Sequence, residues 1–344
     1  MLVQHTLEKR PDIPVIDPLS ISVPLLDKPP NMSASEPIGW SPLQSLDAAL
    51  PLSEKHRNGL FLTLLAVVVL GFWGPLNDLY ALTKQQEHYS HIVLIPWLSL
   101  YAFYVDRTAI LSSRQWSPLL GLSLVAAGAI GAWQADGAIS GPDVLTVQMV
   151  SFVVICWGFF LLCYGSMAAR RFSFGLLFLL CMVPLPTAFL HAVIVFLQQY
   201  SAEATDVVFT MLGIPYYRDG FIFGLPHLTI HIAEECSGIR STLSLIITSL
   251  VAGHFFLRSL WGKWLLVLIV VPLAIVKNAF RIVGLSLLAN YVDPSFITDS
   301  VLHRSGGIPL FVVSLAILLF LAWLVRSMEK RTGYYLPEGL HAKV

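Results

Sequence analysis

Eight apolar stretches follow one another through this chain, most of them close to the length, about 17–25 residues, that carries a helix across a bilayer. Lipid offers no water to bond an exposed amide or carbonyl, so each stretch must close its own backbone hydrogen bonds, as an α-helix does. The stretches run Leu60–Tyr80, Ser90–Val105, Ser117–Trp133, Val144–Met167, Phe174–Phe196, Cys236–Leu257, Trp264–Ala289 and Ile308–Val325. The second is short, and the fifth carries Pro184 and Pro186, which neighbouring helices must compensate. Charged residues make up 12% of the chain, against about a quarter in a soluble globular domain. The expected class is an all-α integral membrane protein with about eight spans. A formal net charge of +0 gives no general attraction to nucleic acid, and no such partner is expected.

Residues 1–56 have a different character. They are rich in proline (Pro11, Pro14, Pro18, Pro24, Pro29, Pro30, Pro37, Pro42, Pro51), lack a sustained period, and read as a disordered tail. Met1 to Arg10 contains no apolar run of the kind a cleavable signal peptide needs. The expected organisation is this tail, a membrane domain over 57–328, and a short second tail over 329–344.

Basic residues assign an orientation. Lys55 and Arg57, Arg107 and Arg114, Arg170 and Arg171, Arg258 and Lys263, and Arg326, Lys330 and Arg331 fall on alternate connections and both termini. The opposite set holds only Lys84, Arg218 and Arg304. Both ends of the chain should therefore be cytoplasmic, in an N-in/C-in topology. The connection from Leu197 to Glu235 then lies outside. Its first part, Gln198–Leu212, reads as a partly polar helix along the membrane surface. The second, Ile214–Ala233, alternates apolar and polar groups around Asp219-Gly220 and Gly224-Leu225-Pro226, which predicts a β-hairpin with two turns. Such a hairpin could form a lid or a docking edge for an extended peptide.

The run Glu234-Glu235-Cys236-Ser237-Gly238-Ile239-Arg240 opens the sixth span, where charge is costly and kept mainly for use. A buried structural role is the ordinary reading of a membrane cysteine, and it suits Cys156, Cys163 and Cys181. Cys236 differs, because it sits at a predicted helix N-terminus with Arg240 four residues on, two features that favour a thiolate. Glu234 and Glu235 oppose this unless they are paired with arginines. Arg281 lies roughly 12 Å below the outer end of the seventh span, with Lys277 on its face and Asn278 adjacent. Snorkelling is strained at that depth, which favours a functional guanidinium. His303 is by default a polar loop group, but it precedes Gly306 and Gly307, whose backbone can approach a ligand closely. Under this topology Cys236, Arg281 and His303 meet near the outer surface.

His227 and His231 stand four apart, yet on a strand that spacing is not a helical ligand pair, and no His-Glu-x-x-His motif is present. Neither metal nor cofactor is expected. Glu234-Glu235 with Arg240 is similar to the prenyl-protein type of glutamate protease, except that four residues instead of three separate Glu235 from Arg240.

Cys236-Ser237-Gly238-Ile239-Arg240, then Asn278-x-x-Arg281-Ile282, then His303-x-x-Gly306-Gly307, resemble the exosortase/archaeosortase family. Tyr89-Ser90-His91, Pro184-Leu185-Pro186 and Gly213-Ile214-Pro215 extend the resemblance over roughly Leu60 to Val325. It implies a membrane-embedded cysteine transpeptidase or peptidase. Its partners would be exported proteins with a C-terminal signal: a short motif (Pro-Glu-Pro in the bacterial case), an apolar helix and a basic tail. It implies Cys236 as nucleophile with Arg281 and His303, and His303 in place of arginine points to the bacterial branch. Arg240, Glu235, Asn278, Gly306 and Gly307 would support them. The enzyme would sit in the cytoplasmic (inner) membrane with its site on the external face, the acceptor being water, an amine or a lipid-linked amine. Two other classes stay open: a glutamate-type intramembrane protease using Glu234 and Glu235, and a non-catalytic transporter or scaffold.

Overall fold

The computed structural model of the protein describes residues 48–49, 53–113, 115–137, 141–293 and 307–331. It is mostly helical. Helices α1 (Glu54–Gly71) and α2 (Trp73–Gln85) lead into a 3-10 segment, Glu87–Leu94, and then α3 (Ile95–Leu111). Next come α4 (Pro118–Gly137), α5 (Val144–Arg171, kinked at Gly165), α6 (Ser173–Phe178), a 3-10 turn over Leu179–Met182, and α7 (Thr187–Met211). After a small sheet and the 3-10 turn Glu234–Ser237 follow α8 (Ile239–Phe256), α9 (Leu260–Tyr291) and α10 (Gly307–Arg331).

Five helical segments are each long and apolar enough to cross a membrane: Pro118–Ala135, Val144–Arg171, Ile239–Phe256, Leu260–Tyr291 and Ile308–Arg331. Two bent pairs raise the number to seven if each is one span: α1 with α2 at 68°, and Ser173–Met182 with α7 at 87°. The chain is a multi-pass integral membrane protein. The expected eight spans become five to seven among the described residues. The stretch over 90–105 is divided between the 3-10 segment and the 17-residue α3.

The fifth expected span, Phe174–Phe196, is corrected more deeply. Pro184 and Pro186 remove backbone donors and break the helix inside that stretch. The chain restarts at Thr187, whose N–H and hydroxyl both donate to the Asp143 carboxylate, at 2.8 and 3.3 Å. From there α7 runs without interruption to Met211, so the separate surface helix expected over Gln198–Leu212 is the second half of α7. Its polar residues were the misleading signal. Gln198, Ser201 and Thr205 are buried and face neighbouring protein.

Strands β1 (Ala48–Ala49) and β2 (Gln115–Trp116) form a minimal antiparallel pair, so part of the stretch expected as a tail is paired. The expected hairpin has two turns and therefore three strands: β3 (Tyr217–Asp219), β4 (Ile222–Leu225) and β5 (Leu228–His231), in the order β3-β4-β5. Asp219 pairs with Ile222, and Ile222 with His231. Gly220, at φ +57°, takes the left-handed conformation that the first turn requires. Phe223, Leu225, Ile230 and Ile232 turn inward onto Ala202, Phe209, Ile282 and Val283, so the sheet lies on α7 and α9. Arg218 ties it further to α7, with Glu203 at 3.0 Å and Asp206 at 3.5 Å.

Elsewhere α4 packs closely on α5, with Gly121 and Gly128 against Leu162, Gly158 and Ile155. Helix α10 continues past the expected boundary at 328 to Arg331. Its buried Glu329 accepts the N–H groups of Arg258 and Ser259, at 3.1 and 3.0 Å, just ahead of α9, whose cap is the Ser259 hydroxyl accepting the Gly262 N–H at 3.0 Å.

Candidate active site

The site begins where the sheet ends. Beyond β5 the chain turns through Glu234–Ser237 as a single 3-10 turn, and Gly238 then reverses it at φ +80° before α8 starts at Ile239. Cys236 is thus in the turn and not in the first turn of the helix. The expected relation of Cys236 and Arg240 as neighbours on one helix face does not hold, because a left-handed residue separates them. The side chains of Cys236 and Glu235 lie outside what the structure describes.

Gly238 is held against Asn278 of α9. A Cβ placed on Gly238 would lie 3.1 Å from Cγ and 3.2 Å from Oδ1 of Asn278. Only glycine meets both demands, the positive φ and the close approach. Asn278 is itself buried and donates from Nδ2 to the Ser201 hydroxyl of α7 at 3.0 Å. Two other buried amides complete the support. Gln198 donates to the Ile232 carbonyl at 2.6 Å, and Asn290 accepts the His227 N–H at 3.0 Å. Helices α7 and α9 therefore hold both flanks of the segment that carries Cys236. A buried side-chain amide in an apolar setting requires such partners.

The start of α8 is fixed equally closely. The hydroxyls of Ser241 and Thr242 donate to the Gly238 carbonyl, each at 2.9 Å, and the buried Lys277 ammonium donates to Ser241. Lys277 and Arg281 lie one turn apart on α9, as expected, so the guanidinium follows directly along the helix from this contact. Arg281 is half-buried, ten residues before Tyr291, the last of α9.

Arg240 pairs with Glu87 at the head of the 3-10 segment Glu87–Leu94. The same segment brings His88, Tyr89 and His91, and Tyr89 is buried in the same apolar cluster as Met182, against which Val183 at the proline break also packs. Burial lowers the pKa of His88, which favours the neutral ring at pH 7. His191 of α7 approaches Glu234 at 3.9 Å. Glu87, His191, Ser201 and Ser241 do not figure in the reading of the sequence, and Ser237 and Gln198 figure there only as a member of the cysteine run and as a helix boundary. Only the cluster of polar types in otherwise apolar stretches could have signalled Gln198 and Ser201.

His303 and Gly306 lie outside the described residues, and Gly307 is the first residue of α10. Among the described residues no cluster of histidine, cysteine and carboxylate groups is arranged to hold a metal ion.

Two of the three sequence motifs, Cys236–Arg240 and Asn278–Arg281, are thus in direct contact through Gly238 and Asn278. A family model described as transmembrane exosortase (Exosortase_EpsH) matches residues 82–320, more than half of the chain. The chain belongs to the transmembrane exosortase family. No curated protein and no solved structure is detectably similar to it. Exosortases process PEP-CTERM proteins. The matched region takes in the 3-10 segment, the proline break, the sheet and the Cys236 turn, and leaves residues 1–81 and 321–344 outside.

Proposed function

We propose that this exosortase is a cysteine-dependent transpeptidase or peptidase that cleaves the C-terminal sorting signal of exported proteins through a thioester. The observation that carries the reading is the seating of Gly238 on Asn278, which locks the Cys236 turn to the helix bearing Arg281. Helices hold the turn on both sides, a rigid setting suited to a nucleophile that must meet a carbonyl in one geometry.

In this mechanism the substrate's own apolar helix packs beside α8, α9 and α10, with its motif at the outer surface. The Cys236 thiolate attacks the scissile carbonyl, Arg281 stabilises the negative charge on oxygen, and His303 delivers a proton to the departing amine. Water or an amine then opens the thioester. Hydrolysis makes the protein a protease; aminolysis makes it a transpeptidase. The site faces outward from the cytoplasmic membrane, with both ends of the chain inside. Residues 57–328 form the catalytic domain. Arg240, Glu235, Asn278, Gly306 and Gly307 support it.

The test is processing of a tagged substrate by Cys236→Ala, Cys236→Ser and Glu235→Gln proteins at matched membrane levels. Both cysteine variants should be inactive while inserted normally, and replacing Cys156, Cys163 and Cys181 together should leave activity largely intact. Turnover by Cys236→Ala with loss in Glu235→Gln would transfer the chemistry to the glutamates.

A further inference from the structure

The hydroxyl of Ser237 is buried, the residue being 2% exposed, and its Oγ has no hydrogen-bond partner among the described residues. Its neighbours differ in this respect. Ser241 and Thr242 donate to the Gly238 carbonyl, and Ser244 donates to the Arg240 carbonyl at 3.0 Å. A buried hydroxyl left unbonded is unfavourable, and native structures hold few of them. Ser237 directly follows Cys236 and directly precedes Gly238, the residue that caps α8. Among the described residues no side chain caps that end of the 18-residue helix, so its opening amides keep the partial positive charge of the helix dipole. An unbonded donor beside an uncapped helix start is suited to negative charge that exists only during reaction.

We infer that Ser237 is a further catalytic residue, donating its hydroxyl hydrogen, together with the opening amides of α8, to the oxyanion formed at the scissile carbonyl. The inference rests on Cys236 being the nucleophile. The Cys236 thiol first gives its proton to His303. The sulfur lone pair then forms the S–C bond as the carbonyl π pair moves onto oxygen. That oxygen accepts a hydrogen bond from Ser237, and the serine keeps its proton. On collapse the pair re-forms the C=O bond, the C–N bond breaks, and the leaving nitrogen takes the proton from His303. Arg281 supplies charge to the same oxygen, and Ser237 a short neutral donor.

The test uses the full chain in membranes, with Cys156, Cys163 and Cys181 replaced by alanine so that Cys236 is the one thiol. The substrate is a tagged exported protein with a Pro-Glu-Pro motif, an apolar helix and a basic tail. Ser237→Ala should lower kcat about a hundred- to a thousandfold with KM nearly unchanged, since the bond is made only in the transition state. Its melting temperature in detergent should hold or rise, because an unbonded buried hydroxyl is removed. Alkylation of Cys236 by iodoacetamide builds no oxyanion, so its rate and pH profile should match the parent's. A wild-type kcat in Ser237→Ala would overturn the inference and leave the cysteine reading standing. So would a fall in melting temperature that accounts for the lost activity, or a shifted alkylation profile, which would place the hydroxyl on the thiol. Turnover by Cys236→Ala is a separate result that removes the reading beneath it.

Discussion

Gly238 and Asn278 meet so closely that a methyl group on the glycine would stand 3.1 Å from the amide carbon of the asparagine. Gly238→Ala must therefore bear two costs: a left-handed φ of +80°, about 1–2 kcal/mol for an L-residue, and displacement of a buried amide that bonds Ser201. Activity should fall more steeply than stability, because the displaced amide belongs to the helix that carries Arg281. Melting curves in detergent and processing rates on the same preparations would separate the two. An alanine variant with normal processing would show that the contact does not set the position of Cys236.

The Glu87–Arg240 pair is exposed on both sides, so its contribution to stability should be under about 1 kcal/mol. It joins the Glu87–Leu94 segment to the start of α8. Glu87→Gln and Arg240→Gln should each lower processing by a similar factor, and the double variant should be no worse than either single one. Multiplying losses in the double variant would mean that the two residues act separately.

Much of this site was legible because charge and apolar context conflict. Cys236, Arg240, Lys277 and Arg281 stand out in stretches that should be uniformly apolar, and the Asp219-Gly220 turn announced the sheet. Burial of polar groups was not legible. Gln198, Ser201 and Thr205 give α7 a polar stripe that looks identical whether it faces water or a neighbouring amide, and only the packing against Ile232 and Asn278 decides. The placement of Cys236 failed for a local reason: Ser237-Gly238 was read as the continuation of a helix, whereas Gly238 ends a 3-10 turn. Glu87 and Arg240, 153 positions apart, carry no sequence pattern that joins them.

Orientation has its own test. In the proposed orientation, argued from the basic residues of alternate connections, the sheet lies outside, and Asp219 stands at its first turn. With the native cysteines replaced by serine, Asp219→Cys in intact cells should react with a membrane-impermeant maleimide, and a cysteine at Arg170 should react only after permeabilisation. The reverse pattern would place the Cys236 turn on the cytoplasmic side and remove exported proteins as substrates.

Arg281 provides the sharpest distinction between chemistry and architecture. If its guanidinium meets an oxyanion or a substrate carboxylate, direction matters as well as charge. Lysine keeps the charge but loses the planar fork of donors, so Arg281→Lys should process substrate about as poorly as Arg281→Ala. Loss of one oxyanion donor typically costs about a hundred- to a thousandfold in rate. A merely structural cation would behave otherwise, because lysine at the same helical position could reach the same surroundings along a flexible stem. Lys277, one turn away, already shows that α9 accommodates a buried ammonium when a hydroxyl receives it. Rates for the two variants, at equal enzyme level and with a common tagged substrate, decide the matter. Near wild-type turnover with lysine would make Arg281 a structural charge and leave Cys236 and His303 without its help.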